Sequence, residues 1–468
     1  MEQALLTVTQ TINSYLSNYV LIFLLIGTGL FFTIRTNFVQ VRCFGEAFRK
    51  LFGGFSLNGG KQKNGGMSSF QAVATAIAAQ VGTGNIVGAC GAILIGGPGA
   101  IFWMWVIAFL GMATYYAEAV LALETRVRDA EGAIHGGPAY YITTAFKGVF
   151  GKFLAGFFAV AIILALGFMG CMVQSNSIAE TMSTAFGVPG WTVGIVVVLV
   201  AGFIFLGGVD RLASVTEKVV PGMALLYIVG SLAVIIANAP RVPEAFGLIL
   251  RFAFDPQAQM GGVTFGLIAT LSQGAKRGLF SNEAGMGSTP HAHALAHVKN
   301  PHDQGVLGIA AVFIDTMVVV TCTALVVLVT LYTGEGAMTV DATGVAAGLT
   351  KTNMAQVAFG TLFGEAGGNI FVAICLLFFA FSTILGWNLF AKTNVDYLFG
   401  KKAVPVFSCI ALVFLFLGST LSNDLVWELA DLFNQLMVIP NCIALIALNR
   451  AVAKCARARG KGCELKDA

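Results

Sequence analysis

The stretch AAQVGTGNIVGA, from Ala78 to Ala89, interrupts an apolar run with three glycines and the tripeptide Thr-Gly-Asn. A second interruption, GLFSNEAGMGSTP from Gly278 to Pro290, lies in the other half of the chain. A helix that unwinds at membrane depth leaves backbone N–H and C=O groups unpaired, and hydrocarbon does not tolerate them unless protein, water or a ligand satisfies them. Two such interruptions at matching places in the two halves of a chain indicate a binding site.

The composition identifies an integral membrane protein. Of the 468 residues, 57% are hydrophobic and only 11% are charged, and the mean hydropathy is +0.82. These values exclude a soluble globular protein. The sequence predicts about eleven apolar spans long enough to cross a bilayer. They cover residues 19–34, 67–95, 100–123, 154–182, 191–206, 219–237, 263–294, 305–331, 369–389, 404–421 and 425–448.

The positive charges predict the orientation. Most of the 27 Lys and Arg residues fall in loops on one side if the N-terminus lies outside the cell, and cytoplasmic loops collect such residues. We therefore expect an odd number of crossings and a cytoplasmic C-terminus. The net charge of +4 reflects these loops and indicates no nucleic-acid partner. The nine cysteines show no metal-ligand spacing and are interpreted as small buried residues.

The spans after the first divide into two sets of five, each opening with a glycine-broken span. Because five is odd, the second set enters the membrane from the opposite side, which predicts an all-α protein with an inverted repeat. The predicted units are an additional N-terminal helix and cytoplasmic loop, a first repeat, an outer connecting segment, a second repeat and a basic cytoplasmic tail. Their boundaries are 1–66, 67–238, 239–261, 262–448 and 449–468.

The first interruption offers groups for an anion. The N-terminus of a continuing half-helix presents free N–H groups and the positive end of the helix dipole. Backbone amides of Gly82, Thr83, Gly84 and Asn85 are therefore predicted to hold an anionic group. The Thr83 hydroxyl and the Asn85 amide are predicted to donate from their side chains.

The same interruption offers carbonyl oxygens for a cation. Carbonyls near Gln80 and Val81 precede the break, and they suit an alkali cation if hydroxyls arrive from another helix. Ser382 and Thr383, in the apolar run FFAFSTILGWN, are the best candidates. The alternative for this pair is back-bonding to carbonyls of their own helix.

Charged residues inside spans are expensive and are functional hypotheses by default. Lys276 and Arg277 precede Glu283 by one to two helical turns, which predicts a local ion pair beside the second break. Glu118 and Asp315 are predicted to pack against the breaks. Carboxylates nearer the outer ends are predicted to be solvated, and these are Glu180, Asp424, Glu428 and Asp431.

Several further side chains have two possible roles. Gln174 lies in an apolar span, where its amide either lines the same cavity or bridges two helices. Phe280 and Trp387 are bulky enough to wall a small site. His293 and His297 have i,i+4 spacing, but without the Glu of H-E-x-x-H a solvated helix end is favoured over a metal pair. The chain has no phosphate-binding P-loop motif, which argues against ATP drive within this chain.

Four stretches resemble the alanine or glycine:cation symporter family over nearly the whole chain. They are VGTGNIVG (Val81–Gly88), GGPGAIFWMWVIAFLGMATYYAE (Gly96–Glu118), HGGPAYY (His135–Tyr141) and NEAGMGSTP (Asn282–Pro290). The chain departs from the family's Ser-Ala-Pro form after Gly287, with Thr289 and His291, and this difference bears on gating at the cytoplasmic end.

The resemblance implies the leucine-transporter type of fold, with five-plus-five inverted repeats and an additional first helix, and roles for matching positions. The substrate carboxylate would bind Thr83, Gly84 and Asn85. An unwound segment around Phe280, Ser281 and Ala284 would face the ammonium and side chain. Gln174, Thr383 and Trp387 would complete the pocket. The cation site would consist of Val81, Gly84, Ser382 and Thr383.

The resulting functional expectation is a secondary active symporter in the bacterial inner membrane that couples inward sodium flow to uptake of alanine, glycine or a similar small neutral amino acid. The expected partners are the amino acid, sodium and membrane lipid, with no cofactor, no enzymatic activity and no obligate protein partner. A proton-coupled symporter using Glu118, Glu283 or Asp315 is an alternative. A passive channel is another, and a membrane-embedded enzyme based on His293, His297 and Glu283 is the third.

Overall fold

The structure, a computed structural model, describes residues 2–53, 66–255, 259–260, 263–264, 266–339 and 348–465. Helices dominate these residues. The strands within the described part are two short antiparallel pairs. They are β1 (Val127–Arg128) with β2 (Ile134–His135), and β3 (Gln259–Met260) with β4 (Val263–Thr264).

The N-terminal segment begins as a long helix that runs from Gln3 to Arg35 and includes one π-helical stretch, Leu16–Leu21. The predicted first span, 19–34, is its second half. The helix ends at Arg35, and Asn37 and Phe38 then adopt left-handed backbone conformations with φ of 60° and 54°. The α-helices of this segment are α1 (Glu2–Tyr15), α2 (Ile22–Arg35), α3 (Val39–Arg42) and α4 (Phe44–Gly53).

The first predicted repeat opens with a broken helix. Its first half begins with a capping box, in which Ser68 Oγ accepts from Gln71 N at 3.1 Å and Gln71 Oε1 accepts from Ser68 N at 3.0 Å. The two halves, Ser69–Gln80 and Gly84–Gly96, are bent by 46°, so the predicted break is confirmed. The helices are α5 (Ser69–Gln80), α6 (Ala89–Gly96), α7 (Ala100–Glu124), α8 (Pro138–Ala145), α9 (Gly148–Ile162), α10 (Cys171–Phe186), α11 (Gly190–Phe205), α12 (Gly208–Ala237) and α13 (Val242–Phe254), with π-helical stretches at Gly84–Gly88 and Ile163–Gly170 and a 3-10 turn at Ala239–Arg241.

The second predicted repeat opens in the same way. Its first helix stops at Asn282, where Glu283, Gly285 and Gly287 take positive φ values of 57°, 89° and 79°. Glycine adopts this conformation without steric cost, whereas Glu283 needs surrounding contacts to hold it. The helices are α14 (Leu267–Asn282), α15 (Pro290–Ala294), α16 (Pro301–Val312), α17 (Thr321–Val327), α18 (Met354–Phe363), α19 (Glu365–Phe399), α20 (Val404–Gly418), α21 (Asn423–Ala447) and α22 (Asn449–Arg457), with π-helical stretches at Phe313–Val320 and Leu328–Tyr332 and 3-10 turns at Ala337–Thr339 and Lys401–Ala403.

Among the described residues, 8 helices are long and apolar enough to span a membrane, or 9 when the bent pair counts as one span. Two of the predicted eleven are shorter than expected. The predicted span 191–206 corresponds to α11, which has 16 residues, and the span 263–294 corresponds to α14, also 16 residues, followed by the break and α15. The interruption itself shortens the second of these.

The core lies where the two broken helices meet α7. This helix packs against α2, α14 and α16. Glycines allow the closest approach: a Cβ on Gly308 would lie 2.2 Å from the Tyr115 ring, and a Cβ on Gly305 would lie 2.6 Å from the Tyr116 ring. On the other side, α19 packs against α5, α10 and α12. Both breaks are thereby enclosed by protein.

The outward faces of several helices expose large apolar side chains. Leu199 and Phe203 on α11 are 67% and 66% exposed, and Ile236 on α12 is 70% exposed. Such faces are unfavourable in water and favourable in hydrocarbon. They are the surfaces that membrane lipid would cover.

Candidate substrate and cation site

The two breaks lie in direct contact. A Cβ on Gly84 would lie 3.0 Å from Ser281 Cα and 3.3 Å from the Phe280 carbonyl oxygen. Gln80 Nε2 donates to the Asn282 carbonyl oxygen at 2.5 Å. The glycine at position 84 therefore permits a backbone approach that a side chain would obstruct.

A buried carboxylate joins the breaks. Asp315 Oδ1 accepts from Asn85 Nδ2 at 2.6 Å, and Asp315 Oδ2 accepts from Ser281 Oγ at 2.8 Å and from Thr316 Oγ1 at 2.8 Å. Asn85 Oδ1 in turn accepts from Gly82 N at 2.8 Å. Both polar atoms of the Asn85 side chain are thus hydrogen-bonded to protein, and they stabilise the first break. The sequence predicted instead that this amide donates to an anionic group.

Thr83 directs both of its donors at Gln174. Gln174 Oε1 accepts from Thr83 N at 3.1 Å and from Thr83 Oγ1 at 2.6 Å. Gln174 is 1% exposed, and its Nε2 atom has no hydrogen-bond partner among the described residues. Gln174 therefore bridges α10 to the first break, as one of the two sequence interpretations has it, and its role in a substrate cavity stays a prediction.

The predicted hydroxyl pair lies against the first half-helix. Ser382 Oγ and Thr383 Oγ1 lie 3.3 Å and 3.0 Å from the Ala78 carbonyl oxygen, and 2.9 Å and 3.1 Å from the Phe379 carbonyl oxygen. A Cβ on Gly82 would lie 2.3 Å from Thr383 Oγ1. The back-bonding alternative and the inter-helix contact therefore coexist. The sequence pointed to carbonyls near Gln80 and Val81, whereas these hydroxyls reach a carbonyl earlier in α5.

The second break differs from the expectation in its starting point. Phe280 and Ser281 were expected in the unwound segment, but α14 remains helical through Asn282, so only Ala284 lies in that segment. Asn282 Oδ1 accepts from Ala284 N at 3.0 Å. The helix end itself is capped by Glu283, which takes the left-handed conformation and donates its N–H to the Leu279 carbonyl oxygen at 2.9 Å.

An aromatic layer lies beside the second break. The Phe280 ring centroid lies 5.6 Å from that of Trp387 in an edge-to-face arrangement and 4.8 Å from that of Trp427. Phe280 and Trp387, which the sequence predicted to wall a small site, are thus in contact. Trp427 also contacts Phe280, and the sequence analysis did not identify it.

Glu118 satisfies the unwound backbone of the second break. Its carboxylate accepts from Gly285 N at 3.1 Å, from Gly287 N at 2.9 Å and from Asn441 Nδ2 at 2.7 Å. The expectation that Glu118 and Asp315 pack against the breaks is confirmed. Unpaired N–H groups at this depth need such an acceptor.

The predicted ion pair with Glu283 is wrong. Lys276 Nζ and Arg277 Nη2 lie 3.1 Å and 2.6 Å from Asp431 Oδ2, whereas Glu283 accepts from Trp387 Nε1 at 2.5 Å and from the Ser288 hydroxyl. Helical spacing placed the cations near Glu283 in sequence, but the helix rotation directs them to α21.

Asp431 was expected to be solvated, and this is wrong as well. It is 4% exposed and pairs with both cations. The Arg277 guanidinium also lies 4.5 Å from the Trp427 ring centroid. Lys276, Arg277, Asp431 and Trp427 form what we call the outer cluster.

The histidines do not form a solvated helix end. His291 and His293 are 3% and 0% exposed. His293 Nδ1 lies 2.7 Å from Gln304 Oε1, and its Nε2 lies 3.0 Å from the Tyr115 hydroxyl. Both ring nitrogens of His293 are therefore engaged by protein, which leaves no metal pair with His297.

Comparison with known proteins places this arrangement in a family. The sequence profile of the sodium:alanine symporter family matches residues 2–460. The chain belongs to that family. It is 38% identical to the sodium/alanine symporter AgcS of Methanococcus maripaludis, over 95% of this chain and 95% of that protein. It is also 38% identical to the probable sodium/glutamine symporter GlnT of Bacillus subtilis, over 97% of this chain and 90% of that protein.

Solved structures share the fold at low identity. The crystal structure of MhsT in complex with L-phenylalanine matches with a TM-score of 0.57 and 12% identity, over 84% of this chain and 96% of that one. A manganese transporter of Eremococcus coleocola matches with a TM-score of 0.54 and 12% identity, over 84% and 86%. The predicted leucine-transporter type of fold is confirmed. The five-plus-five division stays a prediction.

Family membership fixes the general activity. The protein is a multi-pass membrane transporter that performs cation-coupled amino-acid symport. Because its relatives are transporters, the expectation that it is not an enzyme is confirmed. The substrate, the coupling ion and the roles of individual residues are proposals.

Proposed function

We propose that the protein couples inward sodium flow to uptake of a small neutral amino acid, with alanine and glycine as the first candidates. The observation that carries this proposal is that the first break presents the Thr83 donors to Gln174 and also lies against the hydroxyls of Ser382 and Thr383 and the aromatic ring of Phe280. We also propose that the N-terminus is outside and the C-terminus cytoplasmic, as the distribution of Lys and Arg predicts.

The substrate carboxylate binds at Thr83 in this proposal. Gln174 Oε1 accepts from both the Thr83 N–H and the Thr83 hydroxyl, so an oxygen already lies where a carboxylate oxygen would. A carboxylate accepts these bonds more strongly than a neutral amide does. It displaces Gln174 Oε1, and Gln174 Nε2, which has no partner among the described residues, becomes a donor to it. Gly84 and Asn85 contribute through the backbone and through the brace to Asp315.

The ammonium binds on the opposite side, toward the second break. The Phe280 carbonyl oxygen faces Gly84, 3.3 Å from the position of a Cβ there. Carbonyls at the end of a half-helix carry the negative end of the dipole and suit a cation. Ser281, Ala284 and the ring of Trp387 complete this side of the pocket.

The sodium ion binds between the first half-helix and α19. Sodium prefers hard oxygen ligands, and the hydroxyls of Ser382 and Thr383 converge with the Ala78 carbonyl within 3.3 Å. The remaining ligands come from the turn of chain at Val81 and Gly84. No carboxylate is required in this set, which favours sodium over a proton.

Coupling follows from one backbone position. A Cβ on Gly82 would lie 2.3 Å from Thr383 Oγ1 and 3.3 Å from Gln174 Oε1. Thr383 Oγ1, which would bind the sodium ion, and Gln174 Oε1, which occupies the proposed carboxylate site, therefore both lie next to Gly82. Binding at either site favours the same placement of the break, and the coupling is reciprocal by thermodynamic necessity.

Relatives of this chain are named for amino acids of different size. Proteins named for alanine and for glutamine are both 38% identical to this chain. The large rings of Phe280 and Trp387 lie beside the proposed site, 5.6 Å apart, and would obstruct a long side chain. We therefore propose alanine and glycine over longer amino acids.

The test is uptake of labelled alanine into liposomes that contain the purified protein, with an inward sodium gradient or an inward proton gradient imposed separately. We expect accumulation with sodium alone. Accumulation with protons alone would overturn the sodium proposal in favour of the carboxylates Glu118, Glu283 and Asp315. A passive channel would show no accumulation against a gradient under either condition.

Two variants locate the cation site. S382A and T383A should raise the sodium concentration needed for half-maximal uptake by about tenfold, since each removes one oxygen ligand worth roughly 1–2 kcal/mol. T330A is the matched control, because Thr330 Oγ1 back-bonds to Val326 at 2.7 Å in another helix. Equal sodium dependence in all three variants would contradict the assignment.

A further inference from the structure

Three potential metal ligands converge away from the transport site. One ligand atom each from Cys43, Glu46 and His302 lies within 4.8 Å of the other two. Cys43 and His302 are each 1% exposed, and Glu46 is half-buried. The group lies at the end of the bundle that the sequence predicts to be cytoplasmic.

Local structure explains why these residues meet. Cys43 directly precedes α4 and Glu46 lies three residues later, so the two share one face of the first turn. His302 is the second residue of α16, whose start is capped by Asn300 Oδ1 accepting from His302 N at 3.0 Å. The close approach at Gly305 presses this end of α16 against α7. Sequence spacing could not reveal the group, because its third member comes from position 302.

His302 is held as a metal-binding histidine is held. Its Nδ1 lies 2.7 Å from the Tyr116 hydroxyl. Its Nε2 is buried, has no hydrogen-bond partner among the described residues, and lies 3.5 Å from Glu46 Oε1. Ligating histidines commonly use the second ring nitrogen for a hydrogen bond that fixes the tautomer. With Nδ1–H donated to Tyr116, Nε2 presents its lone pair to the group.

Glu46 can bind a metal ion without leaving Lys50 without a carboxylate partner. Lys50 Nζ lies 3.0 Å from Glu46 Oε1, and it also contacts Asp303 Oδ1. Asp303 keeps Lys50 neutralised when Glu46 binds elsewhere. The Lys50 ammonium, which would otherwise compete with the metal for Glu46, therefore keeps Asp303 as its partner.

We propose that Cys43, Glu46 and His302 form a binding site for Zn²⁺, with water as the fourth ligand. Zinc accepts thiolate, imidazole and carboxylate ligands at about 2.0–2.3 Å, which places tetrahedral ligand atoms about 3.5 Å apart. The observed separations need only small side-chain rotations to reach this distance. A thiolate and an imidazole together select zinc over sodium, magnesium or calcium.

A second group, Glu124, Cys455 and Cys463, also lies within 4.8 Å. Glu124 is exposed, and this group contains no buried histidine nitrogen without a hydrogen-bond partner among the residues that the structure describes. The site at Cys43 is therefore the better supported of the two, and the second group supplies the matched control.

The experiment is a titration of the purified full-length protein, stripped with a chelator, with Co²⁺ as a spectroscopic substitute for Zn²⁺. We expect a thiolate-to-cobalt charge-transfer band and tetrahedral d–d bands that saturate at one equivalent and disappear when zinc is added. C43S should abolish the charge-transfer band. C455S should retain it.

Two further variants keep the test independent of folding. E46Q should shift the d–d bands and weaken cobalt affinity by about tenfold or more while the charge-transfer band persists. H302Q should weaken affinity similarly, and sodium-driven uptake shows whether each variant is folded. The absence of a charge-transfer band in the wild type, or its loss in C455S with retention in C43S, would overturn the proposal.

Discussion

Asp315 Oδ1 lies 2.6 Å from Asn85 Nδ2, and this bond joins the π-helical stretch Phe313–Val320 to the π-helical stretch Gly84–Gly88 that follows the first break. The other carboxylate oxygen accepts from Ser281 at 2.8 Å, so a single buried side chain connects both halves of the molecule. The breaks are thus held together by protein even where their own helical hydrogen bonds stop.

Replacing Asp315 by Asn should separate the breaks. The amide keeps one acceptor but presents an NH₂ group to either Asn85 or Ser281, and hydrogen bonds to charged groups contribute about 1.5–3 kcal/mol each. We expect D315N to lower the initial rate of alanine uptake in proteoliposomes by about tenfold or more. D210N, which changes an exposed aspartate, should leave the rate unaltered; similar losses in both would argue against a role for the Asp315 contacts.

The aromatic wall should set substrate size. The rings of Phe280 and Trp387 contact each other at a centroid distance of 5.6 Å, and shortening both side chains creates space beside the break. We expect F280A/W387A to take up longer neutral amino acids that the wild type rejects, as measured by competition against labelled alanine. F203A removes an exposed ring on α11 and should not change the range. An unchanged range of transported amino acids in the double variant would contradict the prediction that these two rings set substrate size.

Gly82 should be intolerant of any side chain. A Cβ there would lie 2.3 Å from Thr383 Oγ1, which forces the hydroxyl away from the Ala78 carbonyl. We expect G82A to raise the sodium concentration for half-maximal uptake by about tenfold, in line with the loss of one ligand. G222A is a suitable control because nothing lies within 4 Å of the added carbon. Identical sodium dependence of G82A and G222A would show that the hydroxyl does not bind sodium.

The outer cluster should contribute strongly to stability. Removing one partner of a buried ion pair leaves an uncompensated charge, which costs about 3–5 kcal/mol, and D431N leaves both Lys276 and Arg277 without their negatively charged partner. We expect a clear drop in the thermal unfolding midpoint of the purified protein. D424N should have little effect, because Asp424 is 72% exposed where it pairs with Lys351. Equal midpoints for the two variants would contradict the prediction.

The hairpin of β1 and β2 should loosen only in acid. Lys401 and His135 lie 2.7 Å and 3.0 Å from Asp129 Oδ2 and hold the pKa of that carboxyl well below its ordinary value of 3.8. A depressed pKa in the folded state adds stability that is present above the ordinary value and is lost as the pH falls through the folded value. Asp129 Oδ1 also accepts from the backbone N–H groups of Glu131 and Ala133.

Hydrogen exchange at the Glu131 and Ala133 amides measures this effect. The protection that the wild type has beyond D129N should be constant above about pH 4 and then decline, because the unfolded-state aspartate binds protons below its pKa of 3.8 whereas folded Asp129 does so only at lower pH. In D129N, protection should show no such decline. The same decline in D129N would mean that another group titrates.

Much of the site follows from residue chemistry. The break at Val81 to Asn85, the hydroxyls of Ser382 and Thr383, and the packing of Glu118 and Asp315 against the breaks were all predictable, because glycines and polar groups in an apolar span have few physical explanations. The end of α14 was not predictable. The left-handed cap falls on Glu283, whose N–H donates to the Leu279 carbonyl oxygen, and a glutamate in this conformation is not indicated by the glycine pattern.

The sequence alone determined that this protein spans a membrane, that two of its helices are broken, and which family it resembles. These conclusions depend on composition and on local pattern. Only the tertiary structure decided which partner each polar group finds: Asp431 for Arg277, Trp387 for Glu283, and Gln174 for Thr83. Partner choice depends on how helices distant in sequence are rotated and packed, and no local pattern encodes that rotation.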